Sequence, residues 1–169
     1  MPVFQEDKML KKFLMFPVYC LVLLALALPA QAKEVKFAHF SIDVPAGCTT
    51  QEKDGVVTVT ASKEAFFSIA LYTKGEAGNL SDKDFAAKLS RQMKGGTPEP
   101  SEDGGWTFTA TSNGMLMNVD VVADHDYLIM FMSDASDKEW PASLQTAYDS
   151  ITGNDDKIDT FLKRILFPE

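Results

Sequence analysis

Cysteine and histidine are scarce in this chain, which has two of each among its 169 residues. Cys20 lies in an apolar N-terminal segment, so Cys48 is the single cysteine of the remaining chain. An internal disulfide is thereby excluded there, and the fold has to be stabilised by packing. We expect Cys48 to be a half-buried strand residue, with pairing to a second molecule as the alternative.

The small number of histidines limits the catalytic chemistry. A serine, cysteine or threonine nucleophile needs a neighbouring base, which is most often histidine. We expect His39 on the solvent face of a strand and His125 at the tip of a hairpin, and neither lies in a recognised catalytic motif. A pair of Cys48 with one histidine is the enzymatic alternative, without a local signature to support it. We therefore predict a protein that is not an enzyme.

Ligand-binding motifs are missing as well. The Gly75–Gly78 segment lacks the glycine spacing and the lysine of a phosphate loop. Asp120, Asp124 and Asp126 flank one predicted hairpin but lack the glycine and the closing glutamate of a calcium loop. The run Asn154-Asp155-Asp156 is typical of a helix cap. Two isolated histidines do not complete a zinc site, and we predict no cofactor.

Basic residues are outnumbered by acidic ones. The chain has 16 Lys and Arg residues against 24 Asp and Glu residues, a net charge of −8. Without residues 1–32 the balance is 13 against 22, or −9. Because an acidic surface repels phosphate backbones and anionic lipids, we expect no nucleic-acid partner.

Long hydrophobic runs are confined to the N-terminus. The run Phe13–Leu28 is shorter than the about 20 residues that a membrane-spanning helix needs. Lys11-Lys12 precedes it and Ala30-Gln31-Ala32 follows it, which is the layout of a secretory signal. We predict a signal peptide over residues 1–32, with Met9 as an alternative start. The mature chain from Lys33 is then periplasmic or secreted, without a stable membrane span; an uncleaved anchor is the alternative.

Apolar and polar residues alternate along much of the remaining chain, which predicts strands. The segments are Phe37–Val44, Cys48–Lys53, Val56–Ala61, Phe66–Tyr72, Trp106–Thr111, Met115–Val122 and Tyr127–Ser133. Short turns such as Asp54-Gly55 and Asn113-Gly114 join antiparallel neighbours. The stretch from Pro98 to Gly105 predicts a loop or a poor edge strand.

Three segments have helical spacing. Ser81 and Asp84 form a capping pair, apolar residues follow four apart, and Gly95-Gly96 ends the first helix. Further helices are predicted over residues 141–151 and 155–167. Together these elements predict one α+β domain over residues 33–153, with a mostly antiparallel sheet of about six or seven strands packed with two or three helices.

The C-terminal amphipathic helix, within residues 154–169, is predicted as an addition to that domain. Its apolar stripe, the partner-contact candidate, consists of Ile158, Phe161, Leu162, Ile165 and Leu166. Five large apolar side chains on one helix face need a docking surface. We expect the helix either to dock loosely on its own domain or to mediate partner contact or self-association.

Methionines form an unusual pattern on two neighbouring strands. Met115 and Met117 alternate on one strand, and Met130 and Met132 on the next. A connecting loop of two or four residues places all four on one face, whereas an odd loop separates them. Methionine is an adaptable core filler, which is our main interpretation. The alternative is a Cu(I) site that uses these thioethers and His125.

The order of elements and several residues resemble the PsbP/DcrB-like superfamily of small exported domains. The matching pieces are Phe40–Gly47, the strand pair around Asp54-Gly55, the helix from Ser81, Trp106–Thr109, the hairpin at Asp124 and a helix ending in Ser150-Ile151. The resemblance covers about residues 37–151. It implies an α+β accessory domain that binds a partner and has no common catalytic set. Two departures are Cys48, where an aromatic residue is usual, and the final helix.

These observations predict an exported accessory or binding module of the cell envelope that acts through contact with a protein partner. The alternative is a periplasmic Cu(I)-binding protein.

Overall fold

The computed structural model describes residues 32–102, 104–135 and 138–168. The predicted signal peptide lies outside the described residues, apart from Ala32. The strands are β1 Lys33–Lys36, β2 Phe40–Val44, β3 Thr49–Lys53, β4 Val56–Ser62, β5 Ala65–Thr73, β6 Glu99–Pro100, β7 Trp106–Ser112, β8 Met115–Ala123, β9 Tyr127–Asp134 and β10 Thr152–Gly153. The helices are α1 Asp82–Met93, α2 Ala142–Asp149 and α3 Asp156–Leu166.

The strands form two sheets. The larger sheet has seven strands in the order β3-β4-β5-β9-β8-β7-β6, and the smaller one has three in the order β1-β2-β10. All pairings are antiparallel. Asp54 and Gly55, with φ of 54° and 78°, make the tight β3–β4 turn, because such hairpins need positive φ at both positions. The predicted α+β class and mostly antiparallel sheet are confirmed.

The seven-stranded sheet has an apolar core on each face. On β5, Phe67 and Ile69 belong to one core, and Phe66 and Ala70 belong to the other, as strand alternation requires. The Phe67 core also contains buried residues of β2, α2 and α3. The Phe66 core contains Ala86 of α1. The sheet is therefore packed between α1 on one side and the other two helices, with β2, on the opposite side.

Helix α1 begins and ends close to the predicted positions. The Ser81 hydroxyl accepts the Asp84 backbone N–H at 3.1 Å, which caps the first turn. At the other end the left-handed residue is Lys94, with φ of 54°, and not a glycine. Gly95 is needed for a different reason: a Cβ there would lie 2.8 Å from the Thr109 carbonyl oxygen. Gly95 thus allows the chain to pass close to β7.

The predicted strand Phe37–Val44 is wrong in its first three residues. The backbone N–H of Phe37 donates to the Phe40 carbonyl at 2.8 Å, so the chain turns at residues 37–39 and β2 begins at Phe40. Alternation of side chains does not reveal such a turn. Two further strands, β1 and the two-residue β10, were not predicted; both are short edge pairings of β2.

Helix α3 is docked on its own domain. Ile158, Phe161, Leu162 and Leu166 are buried in the same core as β2 and α2, and Ile165 packs against it. The apolar stripe is therefore core in this structure, and of the two roles expected for this helix the packing agrees with docking on its own domain. No helix within the described part of residues 32–168 is long and apolar enough to cross a membrane.

Candidate binding cleft

A small cleft lies where the turn at residues 37–39 meets the ends of β3, β4 and β5. We call it the His39 cleft. It encloses about 130 Å³ and is lined by Phe37, Ala38, His39, Phe40, Glu52, Gly55, Val57, Leu71, Tyr72 and Glu76. Phe40, Val57 and Leu71 are buried and form an apolar floor, whereas the charged groups lie nearer the rim.

A histidine–carboxylate pair stands at this cleft. His39 Nε2 lies 3.3 Å from Glu76 Oε2, and the histidine side chain is 22% exposed. This corrects the prediction that His39 lies on the solvent face of a strand, because the residue sits in the turn and faces another loop. The pairing joins positions 37 residues apart, and no local pattern in the sequence signals it.

Glu76, in the loop that follows β5, is held in its ionised form by the last residue of that strand. Its Oε2 atom accepts the backbone N–H and the hydroxyl of Thr73, each at 2.8 Å. The Thr73 N–H is the main reason that the pKa of Glu76 lies below its ordinary value, followed by the Thr73 hydroxyl, with smaller contributions from His39. The cleft therefore presents a fixed negative charge at neutral pH.

The turn that carries His39 is fixed by Asn154, which precedes the cap residue of α3. Asn154 Nδ2 donates to the Phe37 and Ala38 carbonyls at 2.9 and 3.2 Å, and the Asn154 backbone N–H donates to the His39 carbonyl at 2.9 Å. The helix cap itself is Asp155, whose side chain accepts two backbone N–H groups of the first turn. Docking of α3 thus holds one wall of the cleft in place.

Polar groups of several kinds line the His39 cleft. The lining includes a histidine and carboxylates, but its only hydroxyl is that of Tyr72. Burial, followed by the charges of Asp54 and Glu76, raises the pKa of Tyr72 and keeps the phenol neutral. Cys48, the nucleophile considered from the sequence, is half-buried against the core and does not line the cleft.

The methionines of the alternative hypothesis share one face of the sheet. Met117 lies opposite Asp134 and Val119 lies opposite Met132, and four residues separate the two strands after the last pair of the hairpin. This even spacing places all four thioethers on the same side of the sheet. Helix α1 covers that side. Met117 and Met130 are only 7% and 3% exposed, which favours packing over metal binding.

His125 and the aspartates of the β8–β9 hairpin lie away from the outer methionines. His125 is exposed at the hairpin tip and bonds to Asp126 at 2.8 Å. Met115 is at the opposite end of β8. Asp124 accepts two backbone N–H groups of its own turn and pairs with Arg164 of α3 at 2.9 Å. Within the described residues, no group of three or more His, Cys, Asp or Glu side chains is arranged to hold a metal.

A second cleft of about 230 Å³ lies beside the end of α3, with Asp120, Phe131, Tyr148 and Leu166 among its walls. The Tyr148 hydroxyl donates to the Leu166 carbonyl at 2.8 Å. Burial is the main reason that the pKa of Tyr148 rises to about 12. These contacts attach the end of α3 to α2 and serve the fold.

The chain is similar to a solved structure at low sequence identity. No family model and no curated protein matches the chain. A crystal structure of a protein from Bacteroides thetaiotaomicron VPI-5482, determined at 1.50 Å resolution, is similar to it with a TM-score of 0.43 and 11% sequence identity. The match covers 75% of this chain and 50% of that one, so the chain spans about half the length of that protein.

Proposed function

We propose that the protein is an exported, non-catalytic binding module of the cell envelope that contacts a protein partner through the His39 cleft. The proposal rests on the volume of the cleft. Sites for small molecules typically enclose about 300–1,000 Å³, whereas this cleft encloses about 130 Å³. Because an apolar cavity of about 150 Å³ holds one benzene-sized group, the His39 cleft fits a single side chain.

The construction of the cleft agrees with such a contact. Protein interfaces are commonly anchored by one side chain that fills a pocket on the partner. The apolar floor supplies area to bury, and the bonds from Asn154 hold the turn in place before binding, which lowers the cost of ordering. The signal-like N-terminus and the resemblance to PsbP/DcrB-like domains support an envelope location and an accessory role.

Blocking the cleft tests this proposal. Ala38 is exposed and lines the cleft, so Ala38→Trp fills the entrance without altering the core. Ala46 is also exposed, in the turn after β2 and outside the lining, and Ala46→Trp is the matched control. The immobilised exported protein is incubated with envelope extract of the producing organism, and bound proteins are quantified by mass spectrometry.

We expect the wild type and Ala46→Trp to retain the same protein, and Ala38→Trp to retain roughly tenfold less of it, as for loss of an interface anchor. Melting curves confirm that both variants are folded. Equal retention by Ala38→Trp would contradict a partner contact at this cleft.

A further inference from the structure

Negative charge dominates the His39 cleft. Glu52 and Glu76 line it, and none of its lining residues is a lysine or an arginine. Asp54 is close enough to contribute to the raised pKa of Tyr72, although burial is the larger cause. A cleft lined by charge of one sign attracts ligands of the opposite sign, and the net charge of −8 acts in the same direction.

The ligand that matches this cleft is an organic cation. The floor is formed by the apolar side chains of Phe40, Val57 and Leu71, which offer no ligand atoms to a metal ion. The described part of the chain also contains no group of three or more His, Cys, Asp or Glu side chains arranged to hold a metal. An aliphatic stem on that floor, with a charged head at the rim, satisfies both parts of the lining.

The hydrogen bonds of Glu76 favour an ammonium over a guanidinium. An arginine fork binds a carboxylate through both oxygens. Here Oε2 already accepts two bonds from Thr73 and faces His39. Oε1 takes part in none of these bonds, and the Glu76 side chain is half exposed. A compact ammonium needs only one such oxygen.

We infer that the His39 cleft takes up a primary ammonium on an aliphatic stem, with Glu76 and Glu52 as its counter-charges. The inference rests on the proposed function and names the partner's contacting group as a lysine side chain.

The probe is n-butylammonium, which reproduces the lysine stem and head, and n-butanol is its neutral match. Both are titrated into the exported, isotope-labelled protein at low salt and followed by amide NMR. We expect n-butylammonium to shift the amides of His39, Thr73 and Glu76 to saturation, and n-butanol to bind about tenfold more weakly, as for loss of two solvent-accessible ion pairs. Added salt should weaken the binding of n-butylammonium and leave the binding of n-butanol unchanged.

Two variants test which carboxylates act as counter-charges to the ammonium. Glu76→Gln keeps an oxygen for the Thr73 bonds, and Glu52→Gln removes a charge from the exposed edge strand without altering the Thr73 loop. Each should weaken n-butylammonium about threefold to fivefold. Glu64→Gln removes an exposed carboxylate of the β4–β5 hairpin turn that pairs with Lys138, and it should have no effect.

Equal binding of the two probes, or unchanged ammonium binding in both cleft variants, would overturn the inference. If n-butylammonium does not bind but Ala38→Trp abolishes partner capture, the ammonium inference fails and the proposed function stands. If n-butylammonium binds at Glu76 but capture is unaffected by Ala38→Trp, the preference for ammonium stands and the protein-partner role fails.

Discussion

Truncation of Leu162 to alanine should destabilise the protein strongly. This side chain is 0% exposed and lies in the core that joins α3 to α2 and the sheet. Truncating a buried leucine costs about 2–5 kcal/mol, because apolar contacts are lost and a cavity remains. For a domain of this size, that corresponds to a fall in Tm of roughly 4–20 °C.

The matched control is the same substitution at a surface leucine. Leu116, on β8, is 51% exposed, so Leu116→Ala should change the free energy of unfolding by no more than about 0.5 kcal/mol. Both variants are measured by urea denaturation followed by circular dichroism. If Leu162→Ala costs no more than Leu116→Ala, α3 is not part of the core, and the interpretation of α3 as a spare contact helix is restored.

Four further outcomes are expected. The Tyr148 phenol has a pKa of about 12 in the fold against 10 as its ordinary value, so the stability it contributes is complete below pH 10 and is lost as pH rises towards 12. Solvent screening limits this to about 1–2 kcal/mol, and Tyr148→Phe should flatten the decline of the urea midpoint over that range. Asn154→Ala removes two side-chain bonds to the 37–39 turn, and should cost about 1–2 kcal/mol and accelerate hydrogen exchange of that turn in mass spectrometry. We expect the protein to bind Cu(I) only weakly in competition with a chelator, and the double variant Met117→Leu/Met132→Leu to bind it equally weakly. Tight one-to-one binding by the wild type that the double variant loses would favour the copper alternative. Intact-mass analysis of the exported protein should show a chain beginning at Lys33, whereas a retained apolar segment would contradict processing.

The features that the sequence predicted well depend on residues close together in the chain. The Asp54-Gly55 turn and the Ser81 cap are set by residues within one turn, and side-chain alternation along each strand marks the apolar faces. Local patterns were therefore sufficient to predict the fold class and the positions of most helices and strands.

The cleft could not be predicted in this way, because its contacts join distant segments. His39, just before β2, pairs with Glu76, just after β5. Asn154, near the end of the chain, donates a hydrogen bond to the turn that carries His39. The apolar stripe of α3 was visible, but periodicity shows only that a helix face is apolar, not which surface covers it. Burial of Leu162 in the domain core answers that question.

Site-specific photo-crosslinking in producing cells tests whether the His39 cleft contacts a protein partner. A benzophenone-bearing residue is introduced at Gly75, an exposed position beside Glu76 where a Cβ meets no atom within 4 Å, or at Ala46, an exposed position away from the cleft. We predict a discrete adduct with one envelope protein from position 75 and none from position 46, and a weaker position-75 adduct in the Glu76→Gln variant. The same adduct from both positions, or an adduct from position 46 alone, would contradict it.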